Sequence, residues 1–378
     1  MKDMEDMDNM EDMENTESTE STESTENTES TESTESAEST ESTEPNKAPK
    51  LRGYKVVCAK LGLSMCVYFT CRLLSGRTAN LLESVSGYFD PTLLYLIHSL
   101  IIVIMVYVIP LLVTMFIFKS NISYKGNYRE LYKKPRRIAR AFGTFPAMFG
   151  LGYGIALLTL LAAFLISKFT DGQTMIEDLL RPTAIEPTTD MLSILTMVFL
   201  LVVIAPVFEE FWVRGIMYDA LKPYGTGMAI IISSLLFGLM HGSLYMLFYT
   251  TAFGFALGYI RYATGSLFTV TILHAIVNSI SAMTLFLSAL VQITDEENKI
   301  INTVNVVYLT AVLILIIVGV VVFISKIPAI RKYKIENTWT ELSPWKKTAW
   351  FFVSVPVIIM LILAFNEITK NRLLDLFL

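Results

Sequence analysis

Long apolar windows dominate this chain, near 56–74, 91–118, 146–167, 191–213, 227–242, 244–262, 266–291, 304–325 and 348–365. A hydrocarbon core about 30 Å thick is crossed by roughly 20 apolar helical residues. Inside lipid every backbone N–H and C=O must find its partner within the protein, which makes helices the natural form for such windows. The expected fold is therefore all-α, a polytopic transmembrane helical bundle of eight or nine spans. Lys60 and Arg72 interrupt the first window and make it the weakest, while Pro110 is expected to kink the second. With 53% hydrophobic and 17% charged residues, the composition excludes an ordinary soluble domain. The lipid bilayer is the expected surrounding, and no nucleic-acid partner is expected.

The formal charge of −5 averages two unlike regions. Residues 1–46 hold seventeen Asp and Glu against Lys2 alone, and a Glu-Ser-Thr run extends from about Glu17 to Glu44. One-signed charge without apolar periodicity builds no core, so residues 1–50 are expected to be a disordered acidic tail and 51–378 the membrane domain. No basic segment precedes an apolar one there, unlike a secretory signal peptide. The remaining chain is basic, and its charges set an orientation. Loop 119–141 carries eight Lys and Arg and loop 326–347 six, whereas 169–190 holds Asp171, Glu177, Asp178, Glu186 and Asp190 against Arg181. Basic loops stay in the cytoplasm. Nine spans with the N-terminus cytoplasmic satisfy all three, and the plasma membrane is the expected location. Cys58, Cys66 and Cys71 share the first window without CxxC spacing and read as apolar fillers.

Strongly polar side chains cost about 2.5–3.5 kcal/mol within a bilayer on insertion scales, so each needs a reason. Three clusters stand out: Glu209, Glu210 and Arg214 in APVFEEFWVRG; Phe237 and His241 in FGLMHG; His274 and Asn278 in LHAIVNS. Residues four apart share a helix face, which pairs Glu210 with Arg214 as a structural ion pair and leaves Glu209 free to face a cavity. His274 and Asn278 share a face too, so the amide could orient the ring or bind an oxyanion. Counting at about 1.5 Å per residue puts Glu209 and His241 roughly 20 Å from the turn at Lys222 to Gly225, and His274 about 14 Å from Gly265. Ordinary tilt of about 20° lets the three share one level. Gly238 and Gly242, and Gly254 and Gly258, have the small-xxx-small spacing of close helix packing.

In this order and spacing the motifs resemble the CPBP family of intramembrane proteases, also called the Abi or type II CAAX prenyl endopeptidase family, whose pattern is EExxxR, FxxxH and HxxxN or HxxxD. EEFWVR, FGLMH and HAIVN match each element, and the resemblance covers roughly residues 190–290. It implies that Glu209 activates the attacking water with help from His241, that His274 and Asn278 complete the site and stabilise the tetrahedral intermediate, and that Phe237 is the motif aromatic. The motifs fit two chemistries. Glu209, His241 and His274 could hold Zn²⁺ with an open water position, in a metalloprotease-like site. Equally, a buried glutamate could act as a metal-free general base.

The expected activity is hydrolysis of a peptide bond in a membrane-anchored protein or peptide substrate, CAAX-protease-like. Prenylated CAAX proteins, bacteriocin-like peptides and membrane-anchored regulators are the substrates that the resemblance suggests. The alternative is a non-catalytic membrane scaffold or bacteriocin self-immunity protein keeping the same fold. Other membrane proteases are disfavoured, since there is neither HExxH nor GxSG, and Tyr218-Asp219 has no GxGD after it. A transporter would show paired inverted repeats, which are not visible here.

Overall fold

In the computed structural model the described residues are 51–121, 132, 142–169, 190–293, 298–332 and 342–369, and they form helices and turns without a strand. The expected disordered tail, and most of loops 119–141, 169–190 and 326–347, lie outside them. Among the described residues ten helices position the site, in chain order α1 (Leu51–Ser84), α2 (Pro91–Phe118), α3 (Phe145–Phe169), α4 (Met191–Tyr224), α5 (Thr226–Met240), α6 (Leu244–Thr264), α7 (Leu267–Ile293), α8 (Lys299–Lys332), α9 (Pro344–Phe352) and α10 (Val355–Ile368).

Six of these are long and apolar enough to cross a membrane, or seven if α9 and α10 together make one span. This is fewer than the eight or nine expected. The excess comes from the hairpin α5–α6: α5 has 15 residues, about 22 Å at a rise of about 1.5 Å per residue and short of a hydrocarbon core about 30 Å thick. The last window is also revised. A break between α9 and α10 bends the pair by 69°, where Ser354 and Pro356 open a new helix instead of continuing the old one. Conversely α1, the weakest window, is a continuous helix of 34 residues that qualifies as a span. Its three cysteines are free thiols, with Cys58 and Cys71 buried.

Proline acts on α2 by widening the helix. Residues Val103–Val108 form a π turn directly before Ile109 and Pro110. A proline ring crowds the carbonyl four residues back and brings no N–H, and a wider turn relieves both problems. The sequence pattern repeats in α4, where the π turn Leu200–Ile204 precedes Ala205 and Pro206. Asp190 starts α4 by accepting the Ser193 N–H at 2.8 Å, a bond that holds its carboxyl below the ordinary aspartate value.

Helix packing follows two chemistries. α3 packs on α6 and α8, and α3 crosses α8 at Gly150 and Gly319, where a Cβ on either glycine would run into the backbone of the other helix. Only glycine permits that approach. α5 and α6 likewise meet through Gly238, whose missing Cβ leaves room for Thr251, and Gly258, which faces Ile230. The small-xxx-small reading holds for Gly238, Gly254 and Gly258, whereas Gly242 lies beyond the end of α5 with φ +62° and serves a turn. Polar side chains add sparse cross-links: Ser64 bonds Thr114 between α1 and α2, and Tyr153 and Tyr308 tie α3 and α8 to Ser281 and the Ile280 carbonyl of α7.

Candidate active site

The site is assembled on α4, which changes its winding twice within the motif. After the π turn at Leu200–Ile204 comes a short α-helical stretch, Ala205–Glu210, and then a second π turn, Phe211–Met217, containing Arg214. Such π turns recur at functional sites because they rotate neighbouring side chains out of ordinary α register.

The two carboxylates are treated very differently. Glu210 is fully buried, and its Oε1 accepts from Arg214 Nη1 at 2.9 Å and from His274 Nδ1 at 2.9 Å. The i,i+4 pair of Glu210 and Arg214 is present as expected, and His274 joins it as an unexpected third member. Since a carboxylate only accepts, His274 carries its proton on Nδ1 and turns Nε2 the other way. There it faces Glu209 Oε2 at 3.9 Å, beyond direct hydrogen-bond reach. Glu209 has no hydrogen-bond partner among the described residues, and its side chain is 13% exposed against 0% for Glu210.

Arg214 is held from three sides. Besides Glu210 it donates from Nη2 to the Gly254 carbonyl at 2.9 Å, and its guanidinium lies 4.4 Å from the Phe237 ring centroid. Gly254 fits closely here: a Cβ would sit 3.0 Å from Nη2 and 3.1 Å from Phe237, so these neighbours would have to shift to admit one. Phe237 is the hub of the cluster. Its ring meets His241 edge-on at 4.9 Å and His274 at 5.6 Å, while Phe253 closes the other side of His274 at 5.5 Å. An aromatic ring offers a negative face to the cation and fixes two imidazoles at its edges.

His241 caps α5, its N–H bonding the Gly238 carbonyl. Its Nδ1 donates to the Phe237 carbonyl at 2.8 Å, so this ring too keeps Nε2 available. The carbonyls at this helix end are taken by a residue from outside the three motifs. Arg72 on α1 donates to Met240 O at 3.0 Å and His241 O at 3.3 Å, and pairs with Glu367 of α10 at 2.9 Å. Tyr68, one turn earlier on α1, donates to Met240 O at 2.8 Å. A basic residue at a helix C-terminus satisfies its orphan carbonyls and complements its dipole. The charge that makes the first window look weak is thus the clamp that holds His241. Its signal was visible as an unexplained intramembrane arginine, but nothing in the sequence pointed to its partner.

Asn278 lies elsewhere than its motif neighbours. Its amide nitrogen donates to the Leu201 carbonyl at 2.8 Å, in the first π turn of α4, and the His274 ring is oriented by Glu210.

Glu209, His241 and His274 offer a carboxylate oxygen and two Nε2 atoms, a donor set suited in kind to zinc. Among the described residues, however, no three His, Cys, Asp or Glu side chains converge on a common point that could hold a metal ion. As placed, the residues do not fit a three-ligand centre, and no step below is routed through a metal.

Residues 191–280 match a family model described as type II CAAX prenyl endopeptidase Rce1-like. Over this stretch the chain is similar to the CPBP family. The match covers α4 to the middle of α7 and so contains every motif residue of the site. The matched family is one of CAAX-protease-like endopeptidases, and the apolar helices make this chain an integral, multi-pass membrane protein. No curated protein and no solved structure shows significant similarity to the chain.

Proposed function

We propose that the protein hydrolyses a peptide bond of a membrane-anchored protein or peptide substrate, using water activated by Glu209. The observation that carries this reading is the contrast between two adjacent carboxylates. Glu210 is fully buried and held through its Oε1 by Arg214 and His274, while Glu209 has no hydrogen-bond partner among the described residues, is partly accessible and lies 3.9 Å from an imidazole nitrogen. Glu209 and His274 Nε2 flank a position that one water could reach from both sides.

In this mechanism Glu209 takes a proton from water as the oxygen bonds to the scissile carbonyl carbon. His274 brings its Nε2 toward the reacting centre, its Nδ1 fixed by Glu210, while His241 has its Nδ1 fixed by the Phe237 carbonyl and its Nε2 left available. The tetrahedral intermediate then collapses, the C–N bond breaks, and the proton held by Glu209 passes to the departing amine nitrogen. Atoms and charge balance with water as the only co-reactant. The clustering of basic residues supports a cytoplasmic N-terminus, with the plasma membrane as the proposed location.

The test is cleavage of a library of membrane-anchored reporter peptides, prenylated CAAX peptides included, in proteoliposomes. Wild type is expected to cleave, and Glu209→Ala to lose cleavage while still folded. Activity that survives a chelator supports the metal-free base, whereas loss restored by Zn²⁺ assigns Glu209, His241 and His274 to a metal. No cleavage by wild type, or equal cleavage by Glu209→Ala, would favour a non-catalytic scaffold or self-immunity protein.

A further inference from the structure

A proline in the middle of a helix leaves a carbonyl without its N–H, and Pro206 stands three residues before the proposed base. The π turn Leu200–Ile204 closes with the Ala205 N–H reaching back five residues, to Leu200 O. The next bond in that series would run from residue 206 to Leu201, but Pro206 has no N–H to give. The α-type partner of Leu201 O would be the Ala205 N–H, which is committed to Leu200 O. Leu201 O is met instead by Asn278 Nδ2 at 2.8 Å, from the opposite helix α7.

We propose that Asn278 is a positioning residue: it replaces the hydrogen bond that Pro206 removes, and so fixes the winding of α4 that aims Glu209. The asparagine of HxxxN and the proline of APVFEE are then two halves of one device. The bond joins α4 to α7 above the Glu210–His274 bond, so the two helices are tied on both sides of Glu209, at 201 and at 210. A carbonyl in lipid that loses its donor has no water to turn to, and the local winding must change to find another. Side chains downstream would rotate with it. This inference rests on the reading of Glu209 as the group that activates water.

A double-mutant cycle tests it. Pro206→Ala supplies an N–H in register for Leu201 O, so Asn278 should become dispensable in that background. In wild type, Asn278→Ala is expected to lower kcat about tenfold or more with KM little changed, the cost of one unsatisfied buried group read as rate. In Pro206→Ala the same change should cost less than about threefold. A role for Asn278 in binding the oxyanion predicts equal losses in both backgrounds, and that result overturns the proposal. A change in melting temperature with kcat intact overturns it too, since it makes the bond merely structural. If Pro206→Ala is inactive, or no substrate is cleaved at all, the cycle is read on melting temperature in detergent. There, a smaller shift from Asn278→Ala in Pro206→Ala than in wild type supports the Asn278–Leu201 link, and additive shifts refute it. That arm separates failure of this inference from failure of the catalytic reading.

Discussion

The crossing of α3 with α8 and the meeting of α4 with α7 solve the same problem in opposite ways. α3 and α8 touch through Gly150 and Gly319, backbone on backbone, with apolar side chains around them. α4 and α7 are held by polar atoms: Glu210 to His274, and Asn278 to the Leu201 carbonyl. Lipid gives apolar helices little reason to associate, so close packing through small residues is the economical solution. The polar seam is the expensive one, because each member must be satisfied by another. The comparison teaches where the proposed function sits: close packing is obtained from glycine, whereas on the reading proposed above the polar seam serves to aim Glu209.

The contrast can be broken from either side. The largest effect is expected at Arg214→Met, which leaves Glu210 buried without its guanidinium partner and should cost about 3–5 kcal/mol, measured by unfolding in detergent. Gly319→Val should follow, at about 1–3 kcal/mol or more, because the added carbons meet the α3 backbone, which cannot move aside as a side chain would. It should lower stability without changing the activity of the molecules that remain folded. Arg72→Met removes the clamp on the α5 carbonyls and is expected to cost about 1–3 kcal/mol. Unlike Gly319→Val, it should also slow cleavage by the folded fraction, since His241 loses its anchor. The smallest effect is expected at Tyr308→Phe, which deletes one bond to the Ile280 carbonyl and should cost about 0.6 kcal/mol, the average for such bonds between membrane helices.

Much of this site was legible because the bilayer makes polar residues conspicuous. Glu209, Glu210, Arg214, His241, His274 and Asn278 stand out in apolar windows, and i,i+4 spacing alone pairs Glu210 with Arg214. What stayed hidden depends on register between helices that are far apart in sequence. Nothing in HAIVN says that His274 bonds Glu210 while Asn278 reaches Leu201, sixty-four and seventy-seven residues away. Arg72 was visible as a charge and invisible as a clamp for the same reason. The fold was misjudged where hydropathy saw windows and length decided: α5 is too short to span, and Ser354 with Pro356 breaks the last window in two. Pro110 and Pro206 were readable as disturbances, but whether a helix answers by kinking or by widening depends on its neighbours.

The division of labour between the two adjacent glutamates is the central claim, and one paired measurement addresses it. Glu209→Gln and Glu210→Gln are reconstituted side by side, and each is measured for cleavage of the reporter peptides and for melting temperature in detergent. Glu209→Gln should melt at or above the wild-type temperature and cleave nothing, whereas Glu210→Gln should melt well below it, having lost the charge that holds Arg214 and His274. Cleavage retained by Glu209→Gln, or a loss of stability as large as that of Glu210→Gln, would contradict the account.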